Sequence, residues 1–256
     1  MLDPAAIEGA VALPRRPLVV KPILTYPLTQ RRPQTSWRNW GGIETPGDVE
    51  QEVQRIRTEL DQLSKAADFP LRFLPITALR TAGEFAAISD VAGADVLLVY
   101  AAGDGAGDLM GAINPVHKLG KDVIFLVRHQ SGPLYYWYEG IMARYLHQHT
   151  DELAVPGVDY EDVVVDSMDE VLWRLRALCG LRNTIGTRIV CVGGAGSWGQ
   201  PVAATMDLVQ KRWQLVVQTV SYEELETLLR RARDDQAAVD RARQQAAAYL
   251  HLPQTT

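Results

Sequence analysis

Residues 188–211, which read RIVCVGGAGSWGQPVAATMDLVQK, contain the pattern that decides the fold. The apolar run 189–192 predicts a buried strand, the glycine-rich residues 193–199 predict a turn, and Pro201 stands where a helix can begin. A strand, a glycine turn and a helix in this order direct backbone N–H groups towards a ligand. The segment therefore predicts the opening of a Rossmann-like α/β unit.

Strands and helices alternate on both sides of this segment. Apolar runs predict earlier strands at 18–24, 71–76, 96–100, 123–127 and 163–165. The pattern then restarts, with predicted strands at 189–192 and 215–220 and helices at 201–211, from 221 and at 235–249. Such alternation indicates an α/β fold with mostly parallel strands. We expect two Rossmann-like parallel-sheet units with helices on both faces, the second of them incomplete.

Helix starts are marked by capping residues. Residues 45–48, Thr-Pro-Gly-Asp, combine a capping hydroxyl, a proline in the first turn and an acid near the positive end of a helix. Apolar residues then recur at helical spacing up to Leu63, which predicts one buried face. Capping boxes begin at Ser167 and Ser221. Shorter helices are expected at 81–87 and 140–149.

The domain boundaries follow from this pattern. We expect a flexible tail at 1–16, a first α/β domain at 17–185 and the start of a second α/β domain at 186–256. Two parallel strands bury too little apolar surface to be stable alone. Either the last strands extend the first sheet, or the second domain is truncated, and we favour truncation.

Composition excludes several classes of protein. The 256 residues are 47% hydrophobic and carry a net charge of −5, which is typical of a globular protein and argues against nucleic acid or an anionic membrane as partner. No apolar run has the length of about 18 residues that a membrane span needs, and the first ten residues lack the basic start and apolar core that predict a signal peptide. Cys179 and Cys191 lie in apolar contexts, so we expect buried free thiols and a cytoplasmic protein.

The glycine turn allows more than one chemical interpretation. Residues 194–199 match G-x-G-x-x-G between a strand and a helix, the context of a dinucleotide site. However, no acid stands at the end of the next strand to bind a ribose, and Trp198 would crowd a pyrophosphate. Ser197 lies in a near match to a nucleophile elbow, but a base for it is not evident. A structural turn or a sugar-site turn is the preferred interpretation.

Other candidate residues follow the carboxyl ends of predicted strands, where ligands bind in parallel sheets. The loop 25–42 contains Arg38 and Trp40, which offer a donor fork and a stacking surface to a hydroxyl-rich ligand or a subunit interface; packing of the tryptophans in the core is an equal alternative. His129 follows the strand 123–127 directly, next to Gln130 and Ser131. A second glycine-rich loop at 101–115 carries two aspartates, which are typical of turns more often than of metal sites.

These segments together resemble a known superfamily. The relevant stretches are RNWGG at 38–42, DVLLVYAAGD at 95–104, VRHQSGP at 127–133 and IVCVGGAGSWG at 189–199. In this order they resemble the front part of proteins with the L-fucose isomerase-like fold, which include L-fucose and L-arabinose isomerases. The likeness extends from about residue 17 to 256.

The resemblance implies two Rossmann-like domains, a third and largely β domain, and homo-oligomers in which the first domain covers a neighbour's active site. Such enzymes interconvert aldoses and ketoses with a divalent metal, usually Mn²⁺, held by acids and a histidine. Those ligands belong to a region beyond this chain, so no catalytic or metal-binding residue is carried over and no cofactor is expected on this fragment. Loop position suggests these substrate-binding residues: Arg38, Trp40, His129, Ser131, Gly196, Ser197 and Trp198.

The expected function is accordingly that of the N-terminal, substrate-side and oligomerisation region of a sugar isomerase-like protein. A monosaccharide is the expected ligand and a homo-oligomer the expected assembly. Two alternatives stay open at this point: a sugar- or nucleotide-binding Rossmann-like module, and an NAD-dependent oxidoreductase.

Overall fold

A computed structural model describes residues 15–28, 42–103, 121–135, 159–196 and 201–250. The chain divides into two compact units, the first comprising Pro17–Cys179 and the second Gly180–Thr256 with Met1–Arg16. The expected helix at 140–149 lies outside the described residues. So do four candidate site residues: Arg38, Trp40, Ser197 and Trp198.

The first unit contains a six-stranded parallel sheet. Its strands are β1 (Leu18–Thr25), β2 (Leu71–Phe73), β3 (Thr77–Leu79), β4 (Val96–Ala101), β5 (Asp122–Val127) and β6 (Val163–Val165). The strand order is β2-β1-β4-β5-β6, with β3 also paired to β1. Every pairing is parallel. The prediction of an α/β fold with a mostly parallel, Rossmann-like sheet is confirmed.

The predicted strand 71–76 is interrupted, and that prediction was wrong in its second half. β2 pairs with the first part of β1 and β3 with its last part, so residues 74–76 form a break. Pro75 has no N–H to donate to a ladder. Its carbonyl instead accepts a 2.6 Å hydrogen bond from Nζ of Lys21, which is 1% exposed and also contacts Asp90 at 2.9 Å. A buried lysine from the middle of β1 thus provides the hydrogen bond for the segment between β2 and β3.

Three helices belong mainly to this unit: α1 (Pro46–Ala66), α2 (Ala82–Ala86) and α3 (Met168–Thr184). The predicted cap of α1 is confirmed, because the Thr45 hydroxyl accepts from the Asp48 N–H at 3.2 Å and the Asp48 carboxylate accepts from the Thr45 N–H at 2.7 Å. The predicted apolar face of α1 is also buried, with Ile56 completely inaccessible. Glu52 lies on the same buried face, which the apolar pattern did not predict.

The central strands explain why the sequence reads as continuous apolar runs. All residues of β1 and β4 are buried, including both faces of each strand. Parallel sheets with helices on both faces have this property. Cys179 of α3 is a buried, reduced cysteine, as expected.

The second unit is built on a two-stranded parallel sheet, β7 (Arg188–Val192) and β8 (Val216–Val220). Its helices are α4 (Val202–Trp213), α5 (Tyr222–Asp234) and α6 (Gln236–Leu250). The expectation that β7 is buried was wrong: Ile189 is 40% exposed and Val190 55% exposed. Cys191 is only half-buried, because β7 has a single neighbouring strand among the described residues.

No helix within the described ranges combines the length and the apolar character that crossing a membrane requires.

Candidate functional site at the carboxyl edge of the first sheet

The strand order creates a topological switch point between β1 and β4. From β1 the chain continues to β2 and β3 on one side, and it then enters β4 on the other side of β1. If β2 and β3 count as one interrupted strand, the order is 2-1-3-4-5, one of the two common doubly wound orders. In such sheets ligands bind outside the carboxyl ends of the strands at the switch point. Here those ends meet where Thr25 pairs with Ala101.

The backbone is closely packed at this point. The Thr25 carbonyl accepts hydrogen bonds from the N–H groups of Ala102 at 3.0 Å and Gly103 at 3.1 Å. A Cβ atom on Gly103 would lie 2.3 Å from Cδ of Pro27. Only glycine therefore allows the segment after β4 to approach the segment after β1 this closely. The first residues after β1 and β4 are therefore held together.

Thr25 also brings an unpaired polar group to the switch point. Its side chain is completely buried, and among the described residues its hydroxyl has no hydrogen-bond partner. Leaving a buried hydroxyl unpaired costs about 1–3 kcal/mol. In the ligand-free protein the Thr25 hydroxyl, which can both donate and accept a hydrogen bond, is thus buried close to the place where a ligand is expected.

A buried ion cluster anchors the turn after β5. Nε of Arg128 donates to Oε1 of Glu52 at 2.6 Å, and its Nη2 donates to Oε2 of Glu59 at 2.7 Å. The Tyr135 hydroxyl donates to the same Glu52 oxygen at 2.5 Å. The guanidinium lies 5.6 Å from the ring centre of Tyr100 in β4. Two carboxylates of α1 and the arginine that directly follows β5 therefore bind the helix to the edge of the sheet.

Burial and charge perturb the ionisable groups of this cluster. Burial by itself would lower the pKa of Arg128, but the hydrogen bond to Glu59 and the charge of Glu52 outweigh it and raise the pKa above its ordinary value. Burial, followed by the charge of Glu52, raises the pKa of the Tyr135 phenol. The arginine stays ionised and the phenol stays protonated, so the cluster is a fixed structural element.

The turn itself is organised by Asp166, which follows β6 directly. Oδ1 of Asp166 accepts hydrogen bonds from the N–H groups of His129 at 2.8 Å, Gln130 at 3.1 Å and Ser131 at 3.0 Å. The Ser131 hydroxyl donates to the same oxygen at 2.6 Å. Asp166 has φ of 57°, a left-handed conformation that aspartate tolerates better than most residues.

These contacts keep the Asp166 carboxyl ionised. Desolvation alone would raise its pKa, but the hydrogen bonds from the Ser131 hydroxyl and from the three backbone N–H groups outweigh desolvation and lower the pKa to about 2. The Ser131 hydroxyl also accepts from Nη1 of Arg128 at 3.3 Å. Asp166, Ser131 and the buried cluster form one connected network beneath the turn.

The predicted residues that are described divide between the two units. His129 and Ser131 lie in the same turn at the carboxyl end of β5, both exposed. The imidazole of His129 faces solvent, whereas the Ser131 hydroxyl is bonded within the turn. Gly196 lies in the second unit, after β7, and a Cβ atom there would meet nothing within 4 Å. The close approach in that turn is at Gly193, where a Cβ atom would lie 2.6 Å from the Tyr222 ring.

Glu52, Asp166 and Thr25 are among the site residues that were not predicted, and two of these three left a signal. Glu52 falls three residues after Val49 and four before Ile56, so it interrupts an apolar stripe with an acid. Asp166 directly follows the strand 163–165, a position where polar side chains reach the carboxyl edge. Thr25 ends an apolar strand and has no distinguishing pattern.

A separate cleft of about 800 Å³ lies beside the amino end of β5. Asp122 and Asp162 line it, and exposed Tyr160 and Trp173 stand at its border. Burial, together with the neighbouring acids Asp159 and Asp122, raises the pKa of Asp162. The cleft lies at the end of the strands opposite to the switch point, so it is distinct from the candidate site.

Within the described residues, no three His, Cys, Asp or Glu side chains are grouped so that they could hold a metal ion. The described part of the chain therefore does not fit the Mn²⁺ that the resemblance implies, and no reaction step is assigned to a metal here.

The fold of the first unit is that of a Rossmann-like α/β unit with a topological switch point between β1 and β4. Comparison of the sequence with protein-family models and with curated proteins finds no match.

Proposed function

We propose that the chain binds a monosaccharide at the carboxyl edge of the first sheet, as the substrate-side region of an aldose–ketose isomerase-like protein. The observation that carries this proposal is the switch point between β1 and β4. The unpaired Thr25 hydroxyl lies there, and the candidate residues Arg38 and Trp40 follow β1 in the sequence.

The chemistry of the edge suits a neutral, hydroxyl-rich ligand. Among the described groups, the exposed His129 imidazole can both donate and accept hydrogen bonds, as sugar hydroxyls do, and the buried Thr25 hydroxyl has the same capacity at the end of β1. Arg128 is already bonded to Glu52 and Glu59, so its charge is compensated. Hydrogen bonding to hydroxyls, rather than attraction of an ionic ligand, is what this set of groups supports.

The isomerase part of the proposal concerns the rest of the protein. We place the Mn²⁺ ligands, and the groups that move protons between carbon atoms, outside the described residues. Exposed apolar side chains on β7 and β8, such as Val190 at 55% and Val216 at 53%, support a second sheet that further strands or another subunit complete. A homo-oligomer belongs to the same proposal.

The alternative of a nucleotide- or NAD-binding module has one observation in its favour. Gly193 and Gly194 adopt positive φ angles directly after β7, as a phosphate-binding turn requires. Against it, β8 ends at Val220 and is followed by Ser221 instead of an acid that would bind a ribose. A nucleotide is therefore the comparison ligand in the test.

Isothermal titration of the chain with L-fucose, L-arabinose, NAD and AMP tests the proposal. We expect saturable binding of at least one sugar and none of NAD or AMP. His129→Ala should weaken sugar binding by about fivefold, the value of one lost hydrogen bond of about 1 kcal/mol. Tyr160→Ala, at the opposite end of the strands, is the matched control and should bind as the wild type does. Binding of NAD without any sugar would overturn the proposal in favour of the alternative.

A further inference from the structure

The turn after β5 has the geometry of an anion-binding nest. Three consecutive N–H groups, those of His129, Gln130 and Ser131, converge on one oxygen within 3.1 Å, and the Ser131 hydroxyl joins them at 2.6 Å. Successive backbone N–H groups in such a concave arrangement bind phosphate and carboxylate groups in many proteins. The nest lies at the carboxyl end of a parallel strand, on the edge where ligands bind.

The anion in this nest comes from the chain itself. The oxygen belongs to Asp166, more than thirty residues away in the sequence, so the contact is tertiary and not a local turn. Because the pKa of Asp166 is lowered to about 2, the carboxylate keeps its negative charge at neutral pH.

No described cation near the nest is left to attract a second anion. Arg128 reaches the Ser131 hydroxyl, but it is held by Glu52 and Glu59. Arg55 is paired with Glu52 as well. A phosphate approaching the turn would therefore be repelled by the negative charge of Asp166. The N–H groups of the turn, which could otherwise donate to the phosphate, already donate to Asp166.

We propose that Asp166 is a specificity-determining residue that makes the site select neutral sugars and reject phosphorylated sugars. It acts in two ways: it fills the nest that would hold a phosphate, and it repels the phosphate charge. Rejection by an unfavourable charge is a common route to specificity. This inference rests on the proposed function and narrows its ligand to unphosphorylated monosaccharides.

Two substitutions separate the two effects. Asp166→Gly empties the nest and suits the left-handed backbone, since glycine adopts φ of 57° without strain. Asp166→Asn keeps an oxygen acceptor in the nest and tolerates the same backbone, but removes the charge. Glu161→Gln is the matched control, because it removes one exposed carboxylate outside the nest.

The probes are inorganic phosphate, a neutral sugar that binds the wild type and the phosphate ester of that sugar. Titration calorimetry and phosphorus NMR measure binding, and circular dichroism confirms folding of each variant. We expect Asp166→Gly to bind inorganic phosphate at least about tenfold more tightly than the wild type, since it frees several charge-assisted hydrogen bonds. Asp166→Asn should reduce the discrimination against the sugar phosphate while keeping the neutral sugar, and Glu161→Gln should change neither.

Each outcome decides a separate question. If the wild type binds the neutral sugar but a folded Asp166→Gly variant gains no phosphate affinity, the inference is wrong and the proposed function stands. If no sugar binds but the glycine variant gains phosphate, the nest is real and the proposed function is wrong. Should Asp166→Gly not fold, the asparagine variant decides, and unchanged discrimination there overturns the inference.

Discussion

Nε of Arg128 lies 2.6 Å from Oε1 of Glu52, and both side chains are 1% exposed. This contact joins the first residue after β5 to the buried face of α1. It places a charge pair where the apolar pattern of α1 predicts only hydrocarbon, and it supports the turn that carries His129. The stability of the first unit and the geometry of the candidate site therefore depend on the same pair.

Replacing Arg128 with methionine should destabilise the protein strongly. The substitution keeps most of the volume but removes the buried cation beside Glu52, which then keeps only the half-exposed Arg55; breaking a buried pair typically costs about 3–5 kcal/mol. Urea denaturation followed by circular dichroism measures the free energy of unfolding. The control is Arg176→Met, which removes an exposed pair with Asp68 and should cost less than about 1 kcal/mol. Equal decreases in the free energy of unfolding would show that the buried pair stabilises the protein no more than the exposed pair does.

Thr25→Val should stabilise the ligand-free protein. Valine has nearly the shape of threonine and removes a buried hydroxyl without a described partner, so we expect a gain of about 1–2 kcal/mol in the free energy of unfolding. Thr58→Val, on an exposed helix position, is the control and should change stability by less than about 0.5 kcal/mol. A loss of stability in Thr25→Val would mean that the hydroxyl has a partner in the free protein.

Gly103→Ala should destabilise the switch point. The added methyl group would lie 2.3 Å from Cδ of Pro27, and relieving that overlap requires one of the two connections to move, at a cost of about 1–3 kcal/mol. Gly180→Ala is the opposite case, since nothing lies within 4 Å and the residue is helical. That variant should gain up to about 1 kcal/mol. Thermal unfolding of both variants compares them directly, and a neutral Gly103→Ala would contradict the close packing.

Acid should weaken the first unit through Asp166. Its folded pKa of about 2 lies below the ordinary value of 3.8 for an aspartate, so the carboxylate stabilises the folded state above about pH 4 and loses this effect as the pH falls towards 2. The melting temperature of the wild type should therefore fall in this window. Asp166→Asn has no carboxyl to protonate at this position, so its melting temperature should decrease less than that of the wild type over the same pH range. Identical pH profiles for the two proteins would show that the nest does not perturb Asp166.

The sequence predicted most of the elements because their signals are local. The cap at Thr45 and the apolar stripe of α1 were both correct, since each depends on residues within one or two helical turns. The continuous apolar run of β4 correctly indicated a strand buried on both faces. His129 was correctly placed after a strand, because the end of an apolar run marks the carboxyl edge.

The errors have a common physical origin in contacts between distant residues. The strand 71–76 breaks at Pro75, and the proline carbonyl is satisfied by Lys21 from another strand, which the local pattern could not show. The apolar run of β7 predicted burial, but burial depends on neighbouring strands, and β7 has only β8 among the described residues.

The sequence by itself determined the α/β class, the parallel pairing and the helix starts, because hydrophobic periodicity and capping are properties of neighbouring residues. Only the tertiary structure decided the strand order, and with it the switch point at Thr25. It also paired Glu52 with Arg128 and brought Asp166 to the N–H groups of residues 129–131. Such pairs are separated by dozens of residues, and the chemistry of each partner depends on what folding brings within 3 Å of it.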